Sequence, residues 1–132
     1  MSSAPKLRTA LPRPKYYDLN LAHLPPPGIV SIIHRISGAL LFFSVPVLLY
    51  ILQGSLTSEQ EFLRMKAFFA HPLVKLATIG LAWMYAHHFF AGLRYLGLDL
   101  HVGIDKEGAN LSAKIVLALG LASAAAFGWA IW

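Results

Sequence analysis

Three long apolar segments dominate the hydrophobic pattern of this chain. Residues 36–58, 76–93 and 115–132 contain no Asp, Glu, Lys or Arg. A bilayer core about 30 Å thick needs roughly 17–25 helical residues, so each segment is long enough to cross it once flanking lysines reach the headgroups. We predict an all-α integral membrane protein with three transmembrane helices, at about 29–52, 69–97 and 110–132.

Charged residues lie in the tail, in the loops and near the ends of the predicted spans, and they indicate an orientation. Three spans put the N-terminal tail and the second loop on one membrane face, with eight of the cations: Lys6, Arg8, Arg13, Lys15, Arg35, Arg94, Lys106 and Lys114. The opposite face has Arg64, Lys66 and Lys75. The positive-inside rule then predicts a cytoplasmic tail over residues 1–28. This tail has no apolar core of about 7–15 residues like that of a cleaved secretory signal.

Two features inside the spans affect helix packing. Pro46 in the first span should kink that helix or lie where a neighbour satisfies the freed carbonyl. Gly120, Ala124 and Gly128 form a stripe of small residues in the third span, which favours close helix packing. Alternatively, the stripe only reflects how common alanine and glycine are in membrane helices.

Composition narrows the possible functions. The chain is 57% hydrophobic and 13% charged, against about 25% charged residues in a typical soluble domain, which argues against an ordinary soluble enzyme. The net charge is +5, but the basic residues do not form a dense patch with interleaved aromatics, which disfavours nucleic-acid binding. With no cysteine, the chain has no disulfide, iron–sulfur or thiolate ligands, and its six histidines are the candidate ligands for a transition metal.

A polar cluster lies at the start of the first predicted span. Ser31, His34 and Arg35 are spaced i, i+3, i+4, which places a hydroxyl, an imidazole and a guanidinium on one helix face. Polar side chains at membrane depth usually face a bundle interior or a site, so this cluster is a candidate site for a carbonyl, carboxylate or phosphate. Alternatively, Arg35 extends to lipid phosphates and His34 lies at the interface.

Two adjacent histidines lie near the middle of the second span. His87 and His88 are about 100° apart around a helix, so they face different neighbours. His88, Gly92, Tyr95 and Asp99 share a stripe, and a neutral imidazole beside a glycine suits an axial haem ligand. Alternatively, these histidines hydrogen-bond to another helix. One chain offers no obvious second ligand, so bis-histidine ligation requires a partner subunit.

Both polar clusters match known signatures. The run from Ser31 to Gly38 resembles the SxxHRxSG signature of the large cytochrome b-type membrane-anchor subunits of succinate dehydrogenase, respiratory complex II. The run from His88 to Arg94, followed by Asp99, resembles the second signature of that family, HxxxGxR…D. The resemblance extends from about residue 13 to the C-terminus and includes an Arg-Pro pair, an Asp and a Pro ahead of the first span: Arg13, Pro14, Asp18 and Pro25.

The first signature implies quinone-binding residues. The resemblance assigns Ser31 and Arg35 to hydrogen bonds with ubiquinone, and Leu24 and Ile32 to the apolar walls around its ring. It also places His34 in contact with a haem propionate, and Arg35 shares that role.

The second signature implies haem binding. His88 occupies the axial position of haem b, and the sixth ligand comes from a histidine of the small anchor subunit. The pattern does not require a histidine at His87. Tyr95 stands where relatives often have a histidine near the propionates, and it retains a hydroxyl donor. Asp99 matches in position without an assigned role.

The resemblance therefore implies a haem-binding anchor subunit of succinate:ubiquinone oxidoreductase, within a multi-subunit helix bundle. Electrons pass from succinate through a flavoprotein subunit and an iron–sulfur subunit to ubiquinone, and this chain carries no succinate chemistry. The expected location is a bacterial cytoplasmic (inner) membrane, since the chain has no start resembling a transit peptide. Two alternatives are an anchor of fumarate reductase and a haem-free membrane assembly or transport subunit.

Overall fold

The fold is entirely helical in the part of the chain that is described. The computed structural model describes residues 24–132. Its helices are α1 (Pro26–Thr57), α2 (Glu59–Ala70), α3 (Pro72–Asp99) and α4 (Lys106–Ile131). α1 and α4 are each long and apolar enough to cross a membrane, and a third span comes from α2 and α3 taken together, with a bend of 84° between them. α3 is the long helix of this pair, with 28 residues. The protein is thus an all-α, multi-pass membrane protein of about three spans, which confirms the predicted fold class.

The predicted spans correspond to α1, α3 and α4. These helices extend beyond the expected 29–52, 69–97 and 110–132 at most of their ends. α1 continues through Pro46 without interruption. Most of the predicted N-terminal tail lies outside the described residues, as do Arg13, Pro14 and Asp18 of the resemblance.

Local chemistry explains where the helices begin. Pro26 starts α1 and Pro72 starts α3, positions where the missing N–H costs nothing. Ser58 caps α2 by accepting from the Glu61 N–H at 3.2 Å. The Asp105 carboxylate caps α4 by accepting from the Gly108 N–H at 2.9 Å. Side-chain acceptors of this kind satisfy N–H groups that have no partner within the helix.

Helix α2 is an addition to the predicted architecture. We expected residues 53–68 to form a connection, because charged side chains interrupt the apolar pattern there. The Ser58-x-x-Glu61 sequence is nevertheless a capping box, a signal that marks the start of a helix. Only Ser58 separates α1 from α2 and only His71 separates α2 from α3, so the chain turns sharply at both residues.

The small packed core lies where α3 meets α1 and α4. It consists of Val30, Ala91, Ala113 and Val116. Most large apolar side chains point outwards, for example Phe42 on α1, which is 72% exposed. Such a surface suits contact with lipid or with partner helices, because both surroundings are as apolar as these side chains.

Candidate functional site

A stacked pair of histidines joins α1 to α3. The rings of His34 and His88 are parallel to within 12°, and their centroids are 4.2 Å apart. Gly38 makes this approach possible, because a Cβ atom at that position would lie 2.7 Å from Cε1 of His88. A ring in this place therefore requires glycine one turn after His34.

Hydrogen bonds determine which nitrogen of His88 is available. Its Nδ1 lies 3.0 Å from the carbonyl oxygen of His34 and 3.2 Å from the Ser37 hydroxyl. A carbonyl oxygen only accepts, so Nδ1 carries the proton and donates it there. The Ser37 hydroxyl donates to the same carbonyl at 3.0 Å.

This bonding leaves Nε2 of the neutral ring as a lone-pair donor. Within residues 24–132, Nε2 of His88 forms no hydrogen bond and is not among the fully buried polar atoms. Metal-binding histidines usually have this arrangement: the Nδ1–H donates to a backbone carbonyl, and Nε2 remains available for the metal.

His87 occupies a different environment. Its side chain is completely buried, and neither ring nitrogen has a hydrogen-bond partner in the described part of the chain. Its ring lies 5.8 Å from that of Trp83, and a Cβ atom at Gly120 of α4 would lie 3.5 Å from its own Cβ. His87 is thus enclosed within this chain, whereas the ring of His88 stacks on His34.

The predicted stripe on α3 continues from His88 towards the helix end. Tyr95 lies against His34, with ring centroids 5.2 Å apart and a tilt of 51°. A Cβ atom at Gly92 would be 3.9 Å from Nε2 of His34, so this glycine leaves room beside the histidine pair. Asp99 ends α3, one turn after Tyr95, and its side chain is exposed.

The predicted quinone-binding residues lie at the start of α1. Arg35 donates from Nε to the backbone carbonyl of Ser31 at 3.3 Å, and its side chain is exposed. Leu24, Ser31 and Ile32 are half-buried. Ser31 lies less than one helical turn before His34, so this group adjoins the histidine pair.

Two polar residues in the signatures have contacts that sequence reasoning missed. Ser37 holds the His88 ring, as described above. Arg94 donates from Nε to the Ser112 hydroxyl at 3.0 Å and from Nη2 to the Ala109 carbonyl at 3.2 Å, which ties α3 to α4. Its guanidinium also lies 5.5 Å from the centroid of the Tyr95 ring. Both residues lie inside the quoted motifs, and this was the only feature of the sequence that pointed to them.

The residues fit an axial haem ligand better than a bare metal ion. Among the described residues, no cluster of three or more His, Cys, Asp or Glu side chains could enclose a metal ion. His88 therefore offers a single imidazole, flanked by Gly38 and Gly92 where a larger side chain would crowd the rings. A haem, whose porphyrin supplies the four equatorial nitrogens, requires only such axial ligands.

The fold and the site define a multi-pass helical membrane subunit with a histidine pair between two of its spans. The family model described as succinate dehydrogenase/fumarate reductase transmembrane subunit matches residues 9–127. The chain therefore belongs to this family, as a cytochrome b-type membrane-anchor subunit of succinate dehydrogenase, which confirms the resemblance in its signatures.

Two relatives support this membership. The chain is 33% identical over 121 residues to the succinate dehydrogenase cytochrome b556 subunit of Coxiella burnetii (strain RSA 493 / Nine Mile phase I), an alignment that covers 91% of this chain and 97% of the relative. It is 29% identical over 106 residues to the protein of the same name from Paracoccus denitrificans, with 80% and 82% covered.

Proposed function

We propose that this chain binds one side of a haem b and forms part of the quinone-reduction site of succinate:ubiquinone oxidoreductase. The observation that carries the proposal is the geometry of His88, with Nδ1 bonded to the His34 carbonyl and Nε2 left available. The name cytochrome b556 of both relatives supports haem b as the bound group.

His88 would hold the haem iron through Nε2, and a histidine of the small anchor subunit would supply the sixth ligand. When bound, the haem supplies a one-electron redox centre. The His34 carbonyl keeps the imidazole in one tautomer, and the contact with Ser37 helps to hold its orientation. The side chains of His34, Arg35 and Tyr95 would contact the propionates. The rings of His34 and Tyr95 lie against each other.

Ser31 and Arg35 would bind the quinone carbonyl. A quinone oxygen gains negative charge on reduction, and a hydroxyl donor with a fixed cation stabilises that charge at a low-dielectric interface. The bond from Nε of Arg35 to the Ser31 carbonyl orients the guanidinium, whose terminal nitrogens form no hydrogen bond within residues 24–132. Leu24 and Ile32, both half-buried, would pack against the ring.

The rest of the reaction belongs to other subunits. Succinate would be oxidised on a flavoprotein subunit, and electrons would reach the quinone through an iron–sulfur subunit. We place the complex in a bacterial cytoplasmic membrane with the N-terminus of this chain in the cytoplasm. The family description covers fumarate reductase as well, and the names of both relatives favour the direction of succinate oxidation.

A reduced-minus-oxidised visible spectrum of the detergent-purified complex tests this function. We expect the absorption bands of a b-type cytochrome, in a preparation whose subunit stoichiometry shows that the complex is intact. An intact complex without haem would overturn the haem-binding role of this chain and leave a haem-free quinone anchor or an unrelated membrane subunit.

A further inference from the structure

Residues close to the end of helix α2 indicate that this part of the protein lies at a membrane interface. Lys75, in the first turn of α3, donates to the backbone carbonyl of Trp132 at 3.3 Å and lies 5.6 Å from the centroid of its ring. Trp129, one turn earlier, is 90% exposed. Tryptophan and lysine concentrate in the headgroup region of bilayers, so the start of α3 and the end of α4 lie there.

The bend between α2 and α3 then determines the direction of α2. The two helices meet at 84°. Since α3 crosses the membrane and begins at the interface, α2 runs nearly parallel to the membrane surface. With 12 residues, α2 is too short to cross a bilayer core of about 30 Å by itself.

Four of the five large apolar side chains of α2 lie on one side of the helix, and Leu63 lies on the other side. Glu61, in the first turn, is the charged residue on the apolar side. Phe62, Met65 and Phe69 are spaced i, i+3, i+7 and share one face. Met65 packs on α1, where its Cε would be 3.4 Å from a Cβ at Gly54. Gln60 lies on the other face and is exposed. This division is typical of a helix lying on a membrane.

A groove of about 340 Å³ between α1 and α3 opens below the aromatic residues of α2. Its walls are apolar and include these residues from the three helices: Val47, Ile51, Phe68, Phe69, Val74 and Leu81. Its two hydroxyl groups bond within their own helices, Ser44 to the Leu41 carbonyl at 2.7 Å and Thr78 to the Val74 carbonyl at 2.8 Å. The groove therefore offers no spare donor to a polar ligand, and its lining suits an apolar chain.

We propose that α2 is an interfacial helix that inserts its phenylalanine face among phospholipid acyl chains, one of which occupies the groove between α1 and α3. The proposal concerns the membrane face opposite to Ser31 and Arg35. It is independent of the haem and quinone roles proposed above.

Single-cysteine labelling tests the proposal, because the chain has no cysteine of its own. Two matched pairs, Phe62→Cys with Gln60→Cys and Phe69→Cys with Ala67→Cys, place the label on opposite faces. The members of each pair are two positions and about 160° apart around the helix. The whole complex carries an environment-sensitive fluorophore in phosphatidylcholine–phosphatidylglycerol vesicles whose acyl chains bear a nitroxide quencher. Labelled wild-type complex gives the background from other subunits.

We expect several-fold stronger quenching at Phe62→Cys and Phe69→Cys than at their partners. Equal quenching within a pair would overturn the interfacial orientation. Absence of quenching at both aromatic positions in an intact complex would show that another subunit covers this face, and would also overturn the proposal. If one variant fails to assemble, as judged by subunit stoichiometry, the other pair decides.

Discussion

Nδ1 of His88 lies 3.0 Å from the backbone carbonyl of His34, and the two imidazole rings stack 4.2 Å apart. His34 thus orients His88 in two ways, through its backbone carbonyl and through its stacked ring. The carbonyl fixes the tautomer of His88, and the stacked ring fixes its plane. Both constraints exist before any haem is bound, so ligand binding requires little reorganisation here.

Replacing each of the adjacent histidines should separate their roles. His88→Ala should abolish or strongly reduce haem retention, because it removes the available Nε2. His87→Ala should largely preserve haem, because His87 is enclosed between α3 and α4. The haem-to-protein ratio of purified complexes measures both effects. Equal loss of haem in the two variants would contradict the assignment of His88.

Gly38→Ala should disturb the same site without replacing a ligand. The new methyl group would lie 2.7 Å from Cε1 of His88, and overpacking of this kind costs about 1–3 kcal/mol. We expect a lower haem content and a lower thermal unfolding temperature of the complex. Gly80→Ala is the matched control, since nothing lies within 4 Å of a Cβ at that α3 position. A Gly38→Ala complex with normal haem and stability would refute the close packing of these helices.

Arg35→Leu should impair quinone reduction selectively. We expect a much larger loss of succinate-dependent quinone reductase activity than of succinate oxidation by an artificial dye, because only quinone reduction uses the guanidinium. Arg64→Leu is the control: that arginine is exposed on α2, 3.7 Å from Glu61. Parallel losses of both activities in Arg35→Leu would indicate an assembly defect and would argue against a direct role in quinone binding.

Arg94 should act as a link between α3 and α4. Ser112→Ala removes one of its hydrogen bonds, made at 3.0 Å, and should cost about 1.5–3 kcal/mol at most, the usual range for a bond to a charged group. Arg94→Leu should cost more, because the bond to the Ala109 carbonyl is also lost. Thermal unfolding of the single and double variants gives a double-mutant cycle. Strictly additive effects would show that Arg94 and Ser112 do not interact.

The orientation of the chain can be checked with a reporter fused after Trp132. Three spans and the excess of cations on the N-terminal side predict a periplasmic C-terminus. A reporter active only in the periplasm should therefore give a signal, and the same reporter fused within the loop between α3 and α4 should not. A silent C-terminal fusion together with an active loop fusion would overturn the proposed topology.

The sequence by itself determined the number of spans and supplied the candidate site residues, which remain predictions. Span number follows from segment length, because the thickness of a bilayer sets how many apolar residues a helix needs. The stripe of small residues on the last span also identified close packing correctly: Gly120 lies against His87, and a Cβ at Gly128 would be 3.2 Å from Cδ1 of Ile79. The candidate site residues Ser31, Arg35 and His88 came from two short signatures that do not depend on helix packing.

Tertiary structure alone decided which neighbour each polar group meets. Helix periodicity shows that His87 and His88 diverge by about 100°, but only the packing of α1 and α4 against α3 shows that the first is enclosed and the second contacts α1. The bonds from Ser37 to His88 and from Arg94 to Ser112 likewise join residues distant in sequence. Helix α2 was not predicted because its charged residues interrupt the apolar pattern of the sequence. Its apolar side is recognised only from its packing on α1 and α3. Bilayer thickness acts on each segment separately, whereas side-chain contacts depend on how helices rotate against one another.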